Sequence, residues 1–154
     1  MKTLVLLWAL AVSFSNGHPS TAAQTAAGKS ASLDFEFFKT KVQPIFLAKR
    51  PGRARCVSCH AGPTAPAALR LQPLSPGAAT WDDEQSRKNL EATMRVVSPG
   101  DLQSALLTHP LAESAGGDFF HSGGKHFGSQ NDPEWQVLKA WVTGQTGSAQ
   151  AQAR

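Results

Sequence analysis

The sequence predicts a small all-α domain, and three observations lead to this fold class. Apolar residues recur at helical intervals in two segments, one near residue 35 and the other near residue 135. No segment shows the apolar and polar alternation that is typical of a β-strand. Both cysteines of the chain stand in one short segment, ARCVSCHAG at 54–62, where a histidine follows the second cysteine directly. We therefore expect a helical domain in which one short segment carries both thiols and a histidine.

The chain is expected to hold one folded domain. Its 154 residues suit a single domain. Residues 1–17 begin with a basic residue, continue with an apolar run and end in small polar residues, which is typical of a secretory signal peptide. Residues 18–33 and 145–154 are small and polar, and they are predicted to be a flexible linker and a flexible tail. The domain itself is predicted at 34–144, in a periplasmic or otherwise exported protein.

Charge and hydropathy restrict the partners. The formal net charge is +4 at pH 7, and no basic run is interleaved with aromatic residues, so a nucleic-acid partner is not predicted. The apolar run of the signal is too short to cross a bilayer, and no other segment reaches spanning length. No transmembrane segment is therefore expected after the signal is removed. Export would place the two thiols in an oxidising compartment.

The first helix is predicted to begin behind Ser32 or Asp34, which suit an N-cap. Pro44 is expected to kink or end this helix. The basic loop LAKRPGRAR then leads to the cysteines, and the segment 61–80, rich in proline and alanine, is expected to be irregular. The apolar face of the helix is formed by Phe35, Phe38, Val42, Ile45 and Phe46.

Two further helices are predicted in the middle of the chain. One begins near Trp81, with Thr80 as its cap and three acidic residues in its first turn, and stops before the turn SPGD. The other is the short helix LQSALL, which Asp101 is expected to cap and which must end before Pro110. A glycine-rich loop, AESAGGDFFHSGGKHFGSQN, follows it.

The last helix carries the clearest end signals. Asp132 is predicted as its cap, Pro133 as its first residue and Gly144 as its stop. Its body is EWQVLKAWV, with an apolar face formed by Trp135, Leu138, Trp141 and Val142.

The two thiols and the histidine have the spacing of a covalent haem site. Cys56, Cys59 and His60 form the pattern C-x-x-C-H, in which two thiols add to the haem vinyl groups and the adjacent histidine binds the iron. A Cys56–Cys59 disulfide would leave His60 unexplained. A redox dithiol expects a strand–helix context, and a zinc site expects four ligands, commonly from a second thiol pair. One haem c, attached through Cys56 and Cys59 with His60 on its iron, is therefore predicted.

Several segments around this motif resemble the class I c-type cytochromes, and in particular the planctomycete-type cytochrome c domain. The similar segments are KVQPIF, RCVSCHAG, LRLQPL, EQSRKNLEA, VVSPGD, SALLTHPL and NDPEWQVLKAWV, which together cover nearly all of 34–144. The resemblance implies a cytochrome c-like fold wrapped around one haem, with the first and last helices crossing beside it. It also implies one-electron transfer with a redox protein as partner.

The sequence departs from that family at the second axial ligand. Class I cytochromes usually supply a methionine from the loop before the last helix, whereas the only methionine here after the signal is Met94, inside a predicted helix. Met94 forms an i, i+4, i+7 stripe with Leu90 and Val97, which is the ordinary mark of a core face. Packing in the core is therefore the favoured interpretation of Met94, and iron ligation is the alternative.

The loop before the last helix contains histidines instead of a methionine. GGDFFHSGGKHFG carries His121 and His126 among glycines, whose backbones can approach a flat ring closely. His121 stands close to the usual position of the methionine and is the predicted ligand, with His126 as the second choice. His109, at the end of a helix, is interpreted as structural, and His18 lies at the signal junction. Two imidazoles would make the iron low-spin and lower its reduction potential.

The leading hypothesis is an exported single-haem cytochrome that carries one electron at a time and catalyses no reaction of its own. A sensor or peroxidase-like enzyme with a displaceable sixth ligand is one alternative. A haem-free module with a Cys56–Cys59 disulfide is the other. The basic residues of the loop before the motif are expected either to neutralise the haem propionates, to guide an acidic partner, or to be simply solvated; these are Lys49, Arg50, Arg53 and Arg55.

Overall fold

The computed structural model describes residues 33–147 and confirms a small, mostly helical domain. The predicted signal peptide, the linker up to residue 32 and the tail from residue 148 lie outside the described residues. Within that range there are five helices and no β-strand. The helices are α1, which starts at Phe35 and ends at Leu47, α2 at Cys56–His60, α3 at Asp83–Met94, α4 at Ala105–Thr108 and α5 at Pro133–Val142, with a 3-10 turn at Glu113–Ala115.

Helix α1 is interrupted by a π-helical turn. It is α-helical at Phe35–Phe37, π-helical at Phe38–Val42 and α-helical again at Gln43–Leu47. The N–H of Gln43 donates to the carbonyl of Phe38, five residues earlier. Pro44 has no N–H to donate and its ring would collide with the carbonyl four residues back in a regular helix. The distortion expected at Pro44 is therefore present as a wider turn, and α1 ends three residues after it.

The buried face of α1 is broader than the predicted stripe. Phe38, Val42, Ile45 and Phe46 are buried as predicted, but Phe35 is only half-buried and lies under the guanidinium of Arg87. Phe37, which the pattern missed, is buried instead. Asp34 is the N-cap, and its carboxylate accepts from the N–H of Phe37 at 3.0 Å. Leu33, the last residue of the predicted linker, also packs into the core.

Helix α3 begins two residues later than predicted. Its N-cap is Asp82, not Thr80: the Asp82 carboxylate accepts from the N–H of Gln85, and the Gln85 side chain accepts from the N–H of Asp82. This reciprocal pair satisfies two donors at once, which a threonine outside the first turn cannot do. Trp81 lies before the helix, buried, with its indole N–H donating to the carbonyl of Gln72.

Helix α4 is also shorter than predicted. Ser104, not Asp101, precedes it as the N-cap residue. The Asp101 carboxylate accepts from the N–H of Gln103 and so closes a turn ahead of the helix. The helix ends with His109 as C-cap, before Pro110, as predicted.

Helix α5 begins and ends where the sequence predicted, and it packs against two other helices. Asp132 is its N-cap and Pro133 its first residue, and Gly144 follows with a φ of +71°. The ring of Trp141 lies 5.1 Å from the ring of Phe38 on α1, and its indole N–H donates to the carbonyl of Asp34. The indole N–H of Trp135 donates to the carbonyl of Leu107 on α4. Helix α5 is therefore fixed to both α1 and α4.

No helix among residues 33–147 has the length and apolar character needed to cross a membrane.

Candidate functional site

A cavity of about 520 Å³ opens beside α2. This volume is in the range of protein pockets that hold small molecules and cofactors. Apolar side chains from five parts of the chain form much of its wall, among them Ile45, Phe46, Leu69, Leu106, Phe127 and Leu138. Cys56, Cys59, His60 and His121 all line the same cavity. The fold therefore brings the predicted site residues to one place, although His60 and His121 are far apart in the sequence.

Helix α2 presents the C-x-x-C-H motif to this cavity. Cys56, Cys59 and His60 are three and four residues apart, so that they share one face of the helix. Both cysteines are free thiols, Cys56 half-buried and Cys59 exposed. Burial raises the pKa of the Cys56 thiol, while the nearby positive charge of Arg50 opposes this effect. Both sulfurs are available for bonds to a group in the cavity.

The orientation of His60 is fixed by the irregular segment after α2. Its Nδ1 lies 2.9 Å from the carbonyl oxygen of Leu69, so Nδ1–H donates and Nε2 keeps its lone pair. The N–H of Leu71 donates to the carbonyl of His60 at 2.7 Å. The segment that the sequence predicted to be irregular therefore holds the imidazole in the tautomer that binds a metal through Nε2.

His121 is held in the same way by its own loop. Its Nδ1 lies 2.7 Å from the carbonyl oxygen of Gly124, and the N–H of Gly124 donates back to the carbonyl of His121. This tight turn needs a φ of +78° at Gly124, a conformation that favours glycine. Burial lowers the pKa of His121, so the imidazole is neutral and its Nε2 is a free lone pair at pH 7.

The spacing of these two imidazoles fits one metal between them. Their ring centres are 6.3 Å apart and their planes are inclined by only 17°. Metal–nitrogen bonds of about 2 Å, added to about 1.1 Å from nitrogen to ring centre, put two rings on opposite sides of one ion about 6 Å apart. The apolar wall and the two thiols at the edge of the cavity suit a flat, apolar macrocycle around that ion. The residues present therefore fit a haem.

The described residues form no site that would bind a metal ion without a surrounding macrocycle. Among residues 33–147, no three His, Cys, Asp or Glu side chains come close enough together to hold one. The zinc alternative thus has no ligand set in the described part of the chain.

His126 also lines the cavity, beside His121. Their ring centres are 5.8 Å apart, nearly edge to face. Burial, reinforced by the charge of Arg50, lowers the pKa of His126 to about 4. Its Nδ1 is buried and has no hydrogen-bond partner among the described residues. No backbone carbonyl orients this ring as Gly124 orients His121, which favours His121 as the ligand.

His109 is closer to the site than the sequence suggested. It caps α4, as a structural histidine would, but it also lines the cavity with its ring centre 5.6 Å from that of His121. Its Nδ1 is paired with the carboxylate of Asp118, and this pairing lowers the pKa of Asp118. No sequence signal revealed this pair, because its members are nine positions apart and share no regular helix or strand.

Arg50 is not a solvated member of the basic loop. Its guanidinium is ion-paired with Glu134 at the start of α5 and lies 5.2 Å from the ring centre of Phe127. It therefore connects the loop before α2 to α5 and to the end of the His121 loop. Arg55, by contrast, lines the cavity and is exposed.

Met94 takes neither of its two predicted roles. It is 37% exposed, so the prediction that it packs in the core is wrong, and it does not line the cavity. Of the predicted stripe, Val97 is buried and Leu90 half-buried. Helix α3 ends at Met94, so the helical spacing that joined Met94 to Val97 no longer holds.

No protein-family model matches the chain. No curated protein and no solved structure matches it either. The resemblance to c-type cytochromes therefore stays a prediction, carried by the motif and by the local segments quoted above.

Proposed function

We propose that this protein is an exported mono-haem c-type cytochrome that carries single electrons. One haem c is bound through the thiols of Cys56 and Cys59, with His60 and His121 as the two axial ligands. The iron of such a group supplies a one-electron couple between its ferric and ferrous states. Another redox protein gives or takes the electron.

One observation carries the proposal. His60 and His121 face one cavity with ring centres 6.3 Å apart, and each donates its Nδ1–H to a backbone carbonyl. A second hydrogen bond of this kind fixes the tautomer and the ring orientation of a metal-binding histidine and raises its basicity. Two histidines oriented alike, across a cavity that also exposes two thiols, are difficult to explain as ordinary packing.

The residues of the chain have distinct parts in this function. The thiols would hold the cofactor and the two imidazoles would bind its iron, which would leave no open position for a substrate. The apolar wall excludes water from the cofactor. Two imidazoles stabilise the ferric state more than a histidine and a methionine do, so the reduction potential is expected to be below that of His/Met cytochromes.

The decisive experiment is expression of the full chain in a host that attaches haem to exported proteins. Mass spectrometry should find the polypeptide plus one haem, and the electron paramagnetic resonance (EPR) spectrum should be low-spin, without the weak red absorption band of a methionine ligand. A Cys56→Ala/Cys59→Ala variant should lose the haem on denaturation, whereas the wild type should keep it. A colourless wild-type protein, two hydrogens lighter than its reduced chain, would instead establish the disulfide module.

A further inference from the structure

Two aromatic side chains stand exposed beside the predicted ligand His121. Phe119 is 85% exposed and Phe120 is 68% exposed, more than any other large hydrophobic residue among those described. We call this pair the aromatic tip. Burying apolar side chains away from water is favourable, so two neighbouring exposed phenylalanine rings favour a partner that covers them.

Hydrogen bonds on both sides of the aromatic tip fix the segment that carries it. The N–H of Asp118 donates to the carbonyl of Thr108 at 3.0 Å, and on the other side the N–H of His126 donates to the carbonyl of Pro110 at 2.7 Å. The ammonium of Lys125 donates to the carbonyl of Asp118, which joins the two flanks. The tip is therefore presented to solvent by a segment that is bonded at both ends to the chain at the end of α4.

Three positively charged side chains lie on or near the segments next to the aromatic tip. Phe120 and Arg55 line the same cavity. The guanidinium of Arg53 lies over Gly124, with Nη1 2.9 Å from the place where a Cβ would stand. The neighbouring acidic group, the carboxylate of Asp118, is paired with His109. The tip therefore has Lys125 bonded next to it, with Arg53 over the same loop at Gly124 and Arg55 on the cavity that Phe120 also lines.

From this juxtaposition we infer that the aromatic tip is a docking site for an acidic patch with an apolar centre on another protein. The inference rests on the proposed function, because the tip lies at the mouth of the predicted haem cavity, where an electron would leave or enter. Opposite charges would speed the encounter, and burial of the two rings would hold the complex.

The probe for this surface is a gold film whose monolayer mixes carboxylate-terminated and methyl-terminated alkanethiols, compared with a film carrying carboxylates alone. Surface plasmon resonance measures the binding of the purified full chain, expressed in a host that attaches haem, to both films. The wild type is expected to bind the mixed film about tenfold more tightly than the carboxylate film. Phe119→Ser/Phe120→Ser should abolish this preference. Leu102→Ser, at another exposed hydrophobic residue, is the matched control and should keep it.

Three results would overturn the inference. The first is an unchanged preference in the Phe119→Ser/Phe120→Ser variant. The second is wild-type binding to anionic phospholipid vesicles that is lost in the same variant, which would assign the tip to a membrane surface. The third is dimerisation of the wild type through the tip, detected by sedimentation. Failure of the proposed function would be seen separately, as absence of haem in the mass spectrum of the wild type.

Discussion

At the scale of single residues, the prediction about coordination depends on His121. If its Nε2 is the sixth ligand, His121→Ala should convert the haem protein from low-spin to high-spin and let the reduced form bind carbon monoxide. The optical and EPR spectra measure this change. His126→Ala is the matched control, because His126 lines the same cavity without an orienting carbonyl, and it should stay low-spin. High-spin spectra from His126→Ala alone would exchange the two assignments.

Gly117 offers a second test at this scale. A Cβ on Gly117 would stand 2.0 Å from the carbonyl oxygen of Leu111 and 2.9 Å from that of Thr108. These are backbone atoms, so Gly117→Ala must displace the segment that carries His121, at a cost of about 1–3 kcal/mol in the free energy of unfolding. Gly128→Ala, where a Cβ would meet no atom within 4 Å, should cost less than Gly117→Ala. Equal unfolding midpoints in urea for the two variants would contradict the close approach.

Site residues could be predicted from the sequence where their spacing along the chain is enough to bring them together. Cys56, Cys59 and His60 share one turn of helix, so their spacing alone brings them together. His121 could be chosen only by its place in a loop. The ion pair of Arg50 with Glu134 depends on a contact between distant parts of the chain, and the exposure of Met94 goes with the end of a helix. Spacing along the sequence encodes neither.

At the scale of elements, the start of α3 provides a test of its capping. Asp82→Ala removes the carboxylate that accepts from the N–H of Gln85 and should lower the free energy of unfolding by about 1 kcal/mol. Thr80→Ala, at the cap that the sequence predicted, should change it by less than about 0.5 kcal/mol. Chemical denaturation of both variants measures the difference. A larger loss from Thr80→Ala than from Asp82→Ala would contradict the observed cap.

The positions of the helices could be predicted because apolar spacing and capping residues are features of neighbouring residues. The exact residues at which the helices begin and end were harder to predict. Asp34 and the pair Asp132–Pro133 begin their helices as expected. Several polar residues precede α3 and α4, and each could have been the cap. At α3 the cap is Asp82, whose partner Gln85 lies three residues on. At α4 it is Ser104. The π-helical turn of α1, at Phe38–Val42, could be expected only as a distortion near Pro44.

At the scale of the whole molecule, the cavity makes stability depend on its occupant. A chain without cofactor would expose the apolar wall of a cavity of about 520 Å³ to water. We therefore expect protein made without haem attachment to melt at a lower temperature than the haem form and to bind the dye ANS, which reports exposed apolar surface. Calorimetry and dye fluorescence on the two forms measure this. Identical melting would show that the cavity is not completed by a bound group.

The hydrogen bond from Trp141 to the carbonyl of Asp34 has a consequence for engineering. It places the point where the chain enters the folded region beside the point where the last helix ends. A unit with adjacent entry and exit can be spliced into a surface loop of a carrier protein, or circularly permuted. The exposed turn at Pro76 and Gly77, which contributes nothing to the cavity wall, is the natural place to open such a permuted chain.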